Sequence, residues 1–313
     1  MTQPGKGVPV PNLQDVDLRL LRVFVSVATN GSFTAAQTEL NIGVSTISGY
    51  ISKLEARLNV HLCQRGRSGF RLTEAGTRLL DASRILFDDL DRFRARVGEA
   101  RQELTGRFVI GMVDAVSDLA GNIVPECLRA FTDKAPLLHL DLKLGSPRAL
   151  VSELIAEDID AAILPVFRKP AAIDLISLDR RDPQSLYCGL GHPFFHRADQ
   201  DIETGEIRSV PFVHRAHMEG WSRYSAQGFN AMATTVDVEC QLILVLTGKY
   251  ISYLPERYAA DWCRRGLLRK IGDPHLQYES NVCLAVRSGD NRATIRTLVA
   301  AAHAVIAARG PRD

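Results

Sequence analysis

Residues 32–76 read SFTAAQTELNIGVSTISGYISKLEARLNVHLCQRGRSGFRLTEAG. The hydroxyl of Ser32 suits the N-cap of a short helix, FTAAQTEL. Asn41-Ile42-Gly43 breaks that helix, and a second runs from about Val44 to Leu58. In it Ile47, Ile51, Leu54 and Leu58 recur at i, i+4, i+7 and i+11 and share a core face. The opposite face holds Ser45, Thr46, Gly49, Ser52 and Lys53, with no acid and no large apolar group. Hydroxyls and an ammonium bond phosphates and base edges in a major groove. Gly49 costs a helix interior ~1 kcal/mol relative to Ala. Two readings of it stand: close approach of DNA, or a neutral glycine. After Asn59-Val60 comes HLCQRGRSGFRLT, where Arg65, Arg67 and Arg71 surround Gly66 and Gly69. This predicts a hairpin whose tip touches phosphate or minor groove. A solvated charged loop is the bland alternative, and the adjoining helices favour a wing.

Upstream, Asp17 is placed to cap a helix beginning DLRLLRVFVSVATN, with Leu18, Leu21, Val25 and Ala28 on one face. Asn30-Gly31 ends it. Residues 1–14 are rich in Pro and Gly and read as a flexible tail, without the apolar core of a secretion signal. Residues 1–72 carry eight Lys and Arg against four Asp and Glu, a local +4 in a chain of net +2. A basic head on a slightly acidic body fits a local polyanion contact.

Downstream, residues 74–104 contain no Pro. Leu79, Leu86, Phe93 and Ala100 lie seven apart, and Ser83, Leu90, Val97 and Leu104 form the partner set. A heptad seam of this length predicts a paired helix, with Leu79, Leu86, Leu90, Phe93 and Val97 as dimerisation residues. Pairing would set two recognition helices on two half-sites.

From residue 105 the pattern becomes strands alternating with helices. RFVIGMV, LLHLDLKLG and DAAILP read as strands, and NIVPECLRAFTDKAP and SPRALVSELIAEDI as helices, the second capped by Ser146. This βαβαβ order implies a parallel sheet. LISLDRRD, QSLYCGLGHP, VPFVH and TTVDVE read as strands of a second subdomain, and NVCLAVRS as the strand returning to the first. Two crossings between lobes predict a hinged cleft.

No apolar run approaches the ~20 residues of a membrane helix. No GxSxG elbow, Walker loop or GxGxxG fingerprint occurs, so the chain is read as no enzyme, without cofactor. His214 and His217 lack a Cys or carboxylate to complete a metal site. The six cysteines, at 63, 127, 188, 240, 263 and 283, form no CxxC pair. Buried reduced thiols are the first reading; redox sensing by Cys188, Cys240 or Cys263 is the alternative.

The segment from Leu18 to Gly76 resembles the N-terminal domain of LysR-type transcriptional regulators. Leu21, Phe24, Val27, Ala28, Gly31, Ser32, Phe33, Ala35 and Ala36 match its first helices. Ser48, Ile51, Leu54, Glu55, Leu58, Val60, Leu62, Arg65, Leu72, Thr73, Ala75 and Gly76 match its recognition helix and wing. Gly49 stands where the family usually has Arg, His or Gln, Asn59 where it has Gly, and Cys63 where it has Phe. In the later region Gly111, Pro125, Phe131, Pro136 and Asp160 fall where the family pattern expects them.

The resemblance implies a winged helix-turn-helix over 15–73, all-α with a β-wing. A dimerisation linker helix over 74–104 follows. The α/β effector-binding domain over 105–313 would have two Rossmann-like, periplasmic-binding-protein-like subdomains, lobe I at about 107–171 and 276–313 and lobe II at about 172–275. It further implies a cytoplasmic regulator, homodimeric and assembled into a homotetramer, that binds an inverted repeat in double-stranded DNA, meets RNA polymerase and answers a small-molecule effector. DNA-contacting candidates are Ser32, Thr34, Ser45, Thr46, Ser48, Gly49, Ser52, Lys53, Arg65, Arg67 and Arg71. Effector-binding candidates are Asp114, Ser117, Ser146, Pro147, Val166 and His214. Ser146 either binds a ligand anion at its helix N-terminus or only caps the helix. His214 and Arg215 could pair with a carboxylate or lie on the surface, and Asp114 would prefer an amine or hydroxyl.

Overall fold

The computed structural model describes residues 15–66, 69–100, 104–117, 123–166, 169–216, 228–272 and 274–310, for some of them the backbone alone. The expected tail, Arg67 and His217 lie outside the described residues, as does the side chain of Arg65. The chain divides into two compact units, Met1–Arg94 and Ala95–Asp313.

In the first unit α1 (Asp15–Asn30), α2 (Phe33–Leu40) and α3 (Val44–Leu58) precede a hairpin of β1 (Cys63–Gly66) and β2 (Gly69–Leu72), and α4 (Glu74–Ala100) follows. Leu20, Leu21, Phe24 and Val27 of α1 bury themselves against Ala36, Ile47, Ile51, Leu54, Leu62 and Leu80. The buried face of α1 is therefore broader than the stripe Leu18, Leu21, Val25, Ala28, because neighbours pack on two of its sides. Arg19 lies over Tyr50 of α3, and Arg22 over Phe87 of α4. Asp17 is not a cap. The helix starts at Asp15, and Asp17, 6% exposed, binds the Arg57 guanidinium at 2.8 Å.

The turns follow their residue types. Ser32 Oγ accepts from the backbone N–H groups of Thr34 and Ala35. Asn41 and Asn59 end α2 and α3 with φ of 52°, the left-handed conformation that Asn adopts next most easily after Gly. That is why Asn59 can replace the family's glycine. Leu62 joins α3 to the wing: its N–H donates to Glu55 Oε1 at 2.7 Å, and its carbonyl accepts from Thr73 N at 3.0 Å. A Cβ on Gly76 would lie 2.0 Å from that carbonyl oxygen, so the start of α4 needs glycine to pass.

The second unit carries β3 (Thr105–Met112), α5 (Ile123–Thr132), β4 (Leu137–Leu144), α6 (Pro147–Ile155), β5 (Ala161–Pro165), β6 (Ile173–Gly189), α7 (Thr204–Ser209), β7 (Pro211–Arg215), β8 (Asn230–Thr235), α8 (Val238–Leu246), β9 (Ile251–Pro255), α9 (Glu256–Arg264), β10 (Leu268–Ile271), β11 (Tyr278–Arg287) and α10 (Ala293–Arg309). Strand order is β4-β3-β5-β11-β6-β9-β7-β8, with β10 on β6. The two halves repeat one plan. A parallel trio, β4-β3-β5 or β8-β7-β9, ends on a long antiparallel strand, β11 or β6.

Each half has apolar clusters on both faces of its sheet. Phe108, Ile110, Phe131, Leu284 and Leu298 form one with α5 and α10, and Leu150, Leu154, Leu164 and Ile173 form another with α6. In the second half Leu186, Phe212, Ile251 and Tyr253 pack on one face, and Tyr187, Leu242, Val245 and Leu254 on the other. Leu186 and Tyr187 go to opposite faces because strand side chains alternate.

Two expectations change. LISLDRRD and QSLYCGLGHP are one strand, β6, with Pro183 paired opposite Glu279. TTVDVE stops being a strand at Thr235: Asp237 accepts from Cys240 N and starts α8. Asp160 accepts from Val109 N at 2.7 Å and from Arg292 Nη1 at 2.6 Å, so it ties two strands' surroundings to α10.

Gly76→Ala should lower the melting temperature of the first unit through an overpacking cost of ~1–3 kcal/mol, read by thermal unfolding of the full chain. Asp290, its side chain 5% exposed, is clasped by Arg292 and Arg287. Burial pushes its carboxyl up, but the two guanidiniums outweigh that and hold it at about 2, below its ordinary 3.8. A depressed folded value stabilises above the unfolded pKa, and the gain is lost as pH falls through about 2. Asp290→Asn should therefore cost about 2 kcal/mol at neutral pH, and the gap to wild type should close on acidification below about pH 4 in a pH series of denaturant melts.

Candidate functional site

The first candidate surface is the outward face of α3. Ser45, Thr46, Gly49, Ser52 and Lys53 are exposed, while Ile47, Ile51 and Leu54 are buried beneath them. Ser48 is half-buried. The N-cap of α3 is Gly43, which offers no side chain, and no acid lies in the first turn. The positive end of the helix is thus open to a phosphate. Among the described residues, and apart from its own helical backbone and chain neighbours, nothing lies within 4 Å of a Cβ built on Gly49. Packing within the chain does not require glycine there.

Thr34 is exposed beside this face, whereas Ser32 is half-buried with its oxygen used as a cap. In the wing Gln64 pairs with Arg71 and Gly66 with Gly69, and Phe70 meets Phe33 edge-on at 5.7 Å. That contact seats the hairpin against α2 and leaves Arg71 exposed.

Along α4 Leu80 is buried in the head's own core, and Leu79, Leu86 and Phe87 pack against it. Ser83 is 2% exposed. The serine that interrupts the heptad seam is buried against its own unit. Of the expected dimerisation residues, Leu79 and Leu86 are therefore half-buried on the head itself, Leu90 is half-buried, and Phe93 and Val97 stand exposed.

The second candidate is a cavity of about 440 Å³ between the two halves of the α/β unit. Asp114, Ser146 and Pro147 line it as expected; Ser117, Val166 and His214 do not. Ser146 Oγ accepts from Ala149 N at 3.3 Å, so it caps α6 at the cavity edge. Val166 packs with the α6 cluster. On β7 one residue changes the face, and Arg215 rather than His214 reaches the cavity.

Asp182, Gln184 and Ser280 also line it, from the middle of β6 and β11. The family pattern points to loops after strands, and these three sit within strands. The signal available was polarity at positions of long strands that a parallel-sheet core leaves apolar.

Asp114 does more than line the wall. Its Oδ2 accepts from Val238 N at 2.6 Å and Glu239 N at 3.2 Å, joining the loop after β3 to the N-terminus of α8. Burial raises its carboxyl pKa; the two N–H groups and Arg215 offset only part of that. Arg215, 8% exposed, donates through Nε to Gln241 Oε1 at 2.7 Å. Gln241 donates to Ser252 Oγ, which donates to Val213 O. This relay fixes the guanidinium.

The three cysteines of the redox alternative are all held as thiols. Burial pushes Cys188 up to about 12 and raises Cys263, and the hydrogen bond and charge of Asp237 raise Cys240. Reactive thiols show the opposite shift.

The family described as the bacterial regulatory helix-turn-helix protein, lysR family, matches residues 18–77. The LysR substrate binding domain matches residues 101–307. The chain is 32% identical over 280 residues to the HTH-type transcriptional activator BauR of Pseudomonas aeruginosa, covering 88% of this chain and 91% of that protein. Among solved structures it resembles full-length CbnR complexed with its target DNA, with a TM-score of 0.63 at 20% identity over 92% of this chain and 99% of that one. Hydrogen-peroxide-bound OxyR of Corynebacterium glutamicum, a cysteine-to-serine mutant, gives a TM-score of 0.51 at 22% identity over 95% and 96%. At these identities the two structures share the fold.

Asp114→Ala should free the first amides of α8. Losing a cap acceptor costs ~1 kcal/mol, so hydrogen exchange at Val238 and Glu239 should quicken about fivefold. Unchanged protection there would mean that Asp114 does not hold the helix.

Proposed function

We propose, since the chain belongs to the LysR family of transcriptional regulators, that it binds an inverted repeat in double-stranded DNA and changes transcription when a small molecule fills its cleft. The chain is a DNA-binding regulator with an effector-binding domain, not an enzyme. The finer reading is that α3 enters the major groove while the wing touches the backbone. The observation that carries it is the exposed hydroxyl-and-lysine face of α3, free of acid and open at its N-terminus.

The working form is a homodimer joined along the α4 seam, and a homotetramer built from dimers, acting with RNA polymerase in the cytoplasm. Among the described residues no helix is long and apolar enough to cross a membrane. The exposed Phe93 and Val97 support the seam. The raised thiol pKa values favour ligand binding over cysteine oxidation as the trigger.

A shift assay on the promoter upstream of the protein's own gene tests the DNA reading. Lys53→Ala and Arg71→Ala should each weaken binding across sequences and reduce the salt slope by about 1. Full affinity in both would remove α3 and the wing as the contact surface. Gly49→Ala should stabilise the head by up to ~1 kcal/mol yet weaken operator binding, because the added methyl meets DNA rather than protein. Unchanged affinity would make Gly49 a neutral glycine.

A further inference from the structure

Two buried polar atoms in the cleft have no hydrogen-bond partner among the described residues, and they are of opposite kind. Arg215 Nη2 is a charged donor; Gln184 Oε1 is an acceptor. Arg215 cannot swing away to water, because its Nε is held by the relay through Gln241 and Ser252 to the Val213 carbonyl. Gln184, 2% exposed, is fixed from its other end, where Nε2 donates to Asp182 Oδ2 at 2.6 Å. That bond assigns the amide orientation and leaves the oxygen, on a residue lining the cavity, without a partner among the described residues. A buried unpaired donor and acceptor each cost free energy unless something binds them.

The charges around the cavity narrow what that something is. Among the described residues four carboxylates line it, those of Asp114, Asp182, Asp237 and Glu239, against one guanidinium, that of Arg215. Asp114 and Asp237 are engaged with backbone N–H groups of α8, and Glu239 accepts from the Tyr258 hydroxyl. A simple anion would satisfy Arg215 but face excess negative charge. A simple amine would suit the carboxylates and leave the guanidinium unmatched. Val113, Leu144, Val238 and Val282 supply apolar wall between the polar ends. A volume of about 440 Å³ is at the small end for ligand pockets.

We infer that the effector is a small zwitterionic amino acid, its carboxylate on Arg215 Nη2 and its ammonium donating to Gln184 Oε1 beside Asp182. The inference rests on the reading of this cleft as the effector site. The carboxylate completes the guanidinium in charge-assisted geometry. The ammonium reduces the negative excess, and the carbon skeleton crosses the apolar wall.

The test is calorimetric titration and thermal shift of the full chain against three sets of compounds. The first is amino acids from glycine and L-alanine to 4-aminobutanoate and 5-aminopentanoate. The second is the matching acids without the amino group and amines without the carboxylate; the third is succinate and benzoate. At least one amino acid should bind, and its deaminated and decarboxylated partners should each bind about tenfold more weakly or worse. Arg215→Met should weaken the amino acid about thirtyfold or more. Gln184→Leu should weaken it about tenfold and leave the affinity of the deaminated acid unchanged. Circular dichroism of the ligand-free variants checks that both fold, and the wild-type panel decides the matter even where one does not. Binding of succinate or benzoate in place of every amino acid, lost in Arg215→Met, would overturn the zwitterion and keep the cleft as the effector site. Binding indifferent to both substitutions would overturn the cleft reading and the zwitterion with it. A panel in which no amino acid binds overturns the zwitterion.

Discussion

β6 and β11 run antiparallel beside each other from one half of the α/β unit into the other, and the cleft exists because they do. Ile173 pairs with Arg287 at one end and Gln184 with Tyr278 at the other, with register shifts around Val282. The irregular stretch lies where the two strands pass from one parallel trio of the sheet toward the other. Asp182, Gln184 and Ser280 sit there, all buried. Buried polar groups in the middle of paired strands are costly. The chain tolerates them where the two apolar layers part and a cavity opens.

Across that cavity, Asp114 links the two halves through two hydrogen bonds. Its carboxylate accepts from the N-terminus of a helix, where partial positive charge favours an anion. Burial opposes the same charge and raises the pKa. The contact is therefore favourable without being overwhelming. A ligand moves the balance of open and closed forms only by its difference in affinity for the two. Arg215 is one group able to supply that difference. It comes from β7 in one half, influences Asp114 in the other, and is held rigid by its own hydrogen bonds.

The helices of the head are legible because their periodicity and caps are local. Ile47, Ile51 and Leu54 are buried as their spacing predicts, and Ser32 caps as its hydroxyl predicts. Asp17 misleads because its partner, Arg57, lies forty residues away and no local pattern announces it. The heptads of α4 are legible as apolar spacing, but which stripe belongs to the head is not. That assignment depends on Gly76 meeting Leu62, a contact that only the assembled wing creates. The cleft is half legible. Asp114, Ser146 and Pro147 follow from loop positions. Choosing Arg215 over His214 needs the phase of β7, which two adjacent polar residues do not fix.

The same division of α4 bears on assembly. Leu79, Leu80, Leu86 and Phe87 are occupied by the head, and the buried Ser83 lies among them. Farther along, Phe93 is 64% and Val97 42% exposed. Fully burying an aromatic or branched side chain gains ~1.5–3 kcal/mol, so two such residues from each of two chains amount to several kcal/mol. The proposed pairing of α4 with a second copy would place apolar against apolar at heptad spacing. The gain is modest for a long helix studded with charge. In the dimer proposed above, a modest seam would leave the phosphate contacts of two heads as the larger share of what holds the complex on its site.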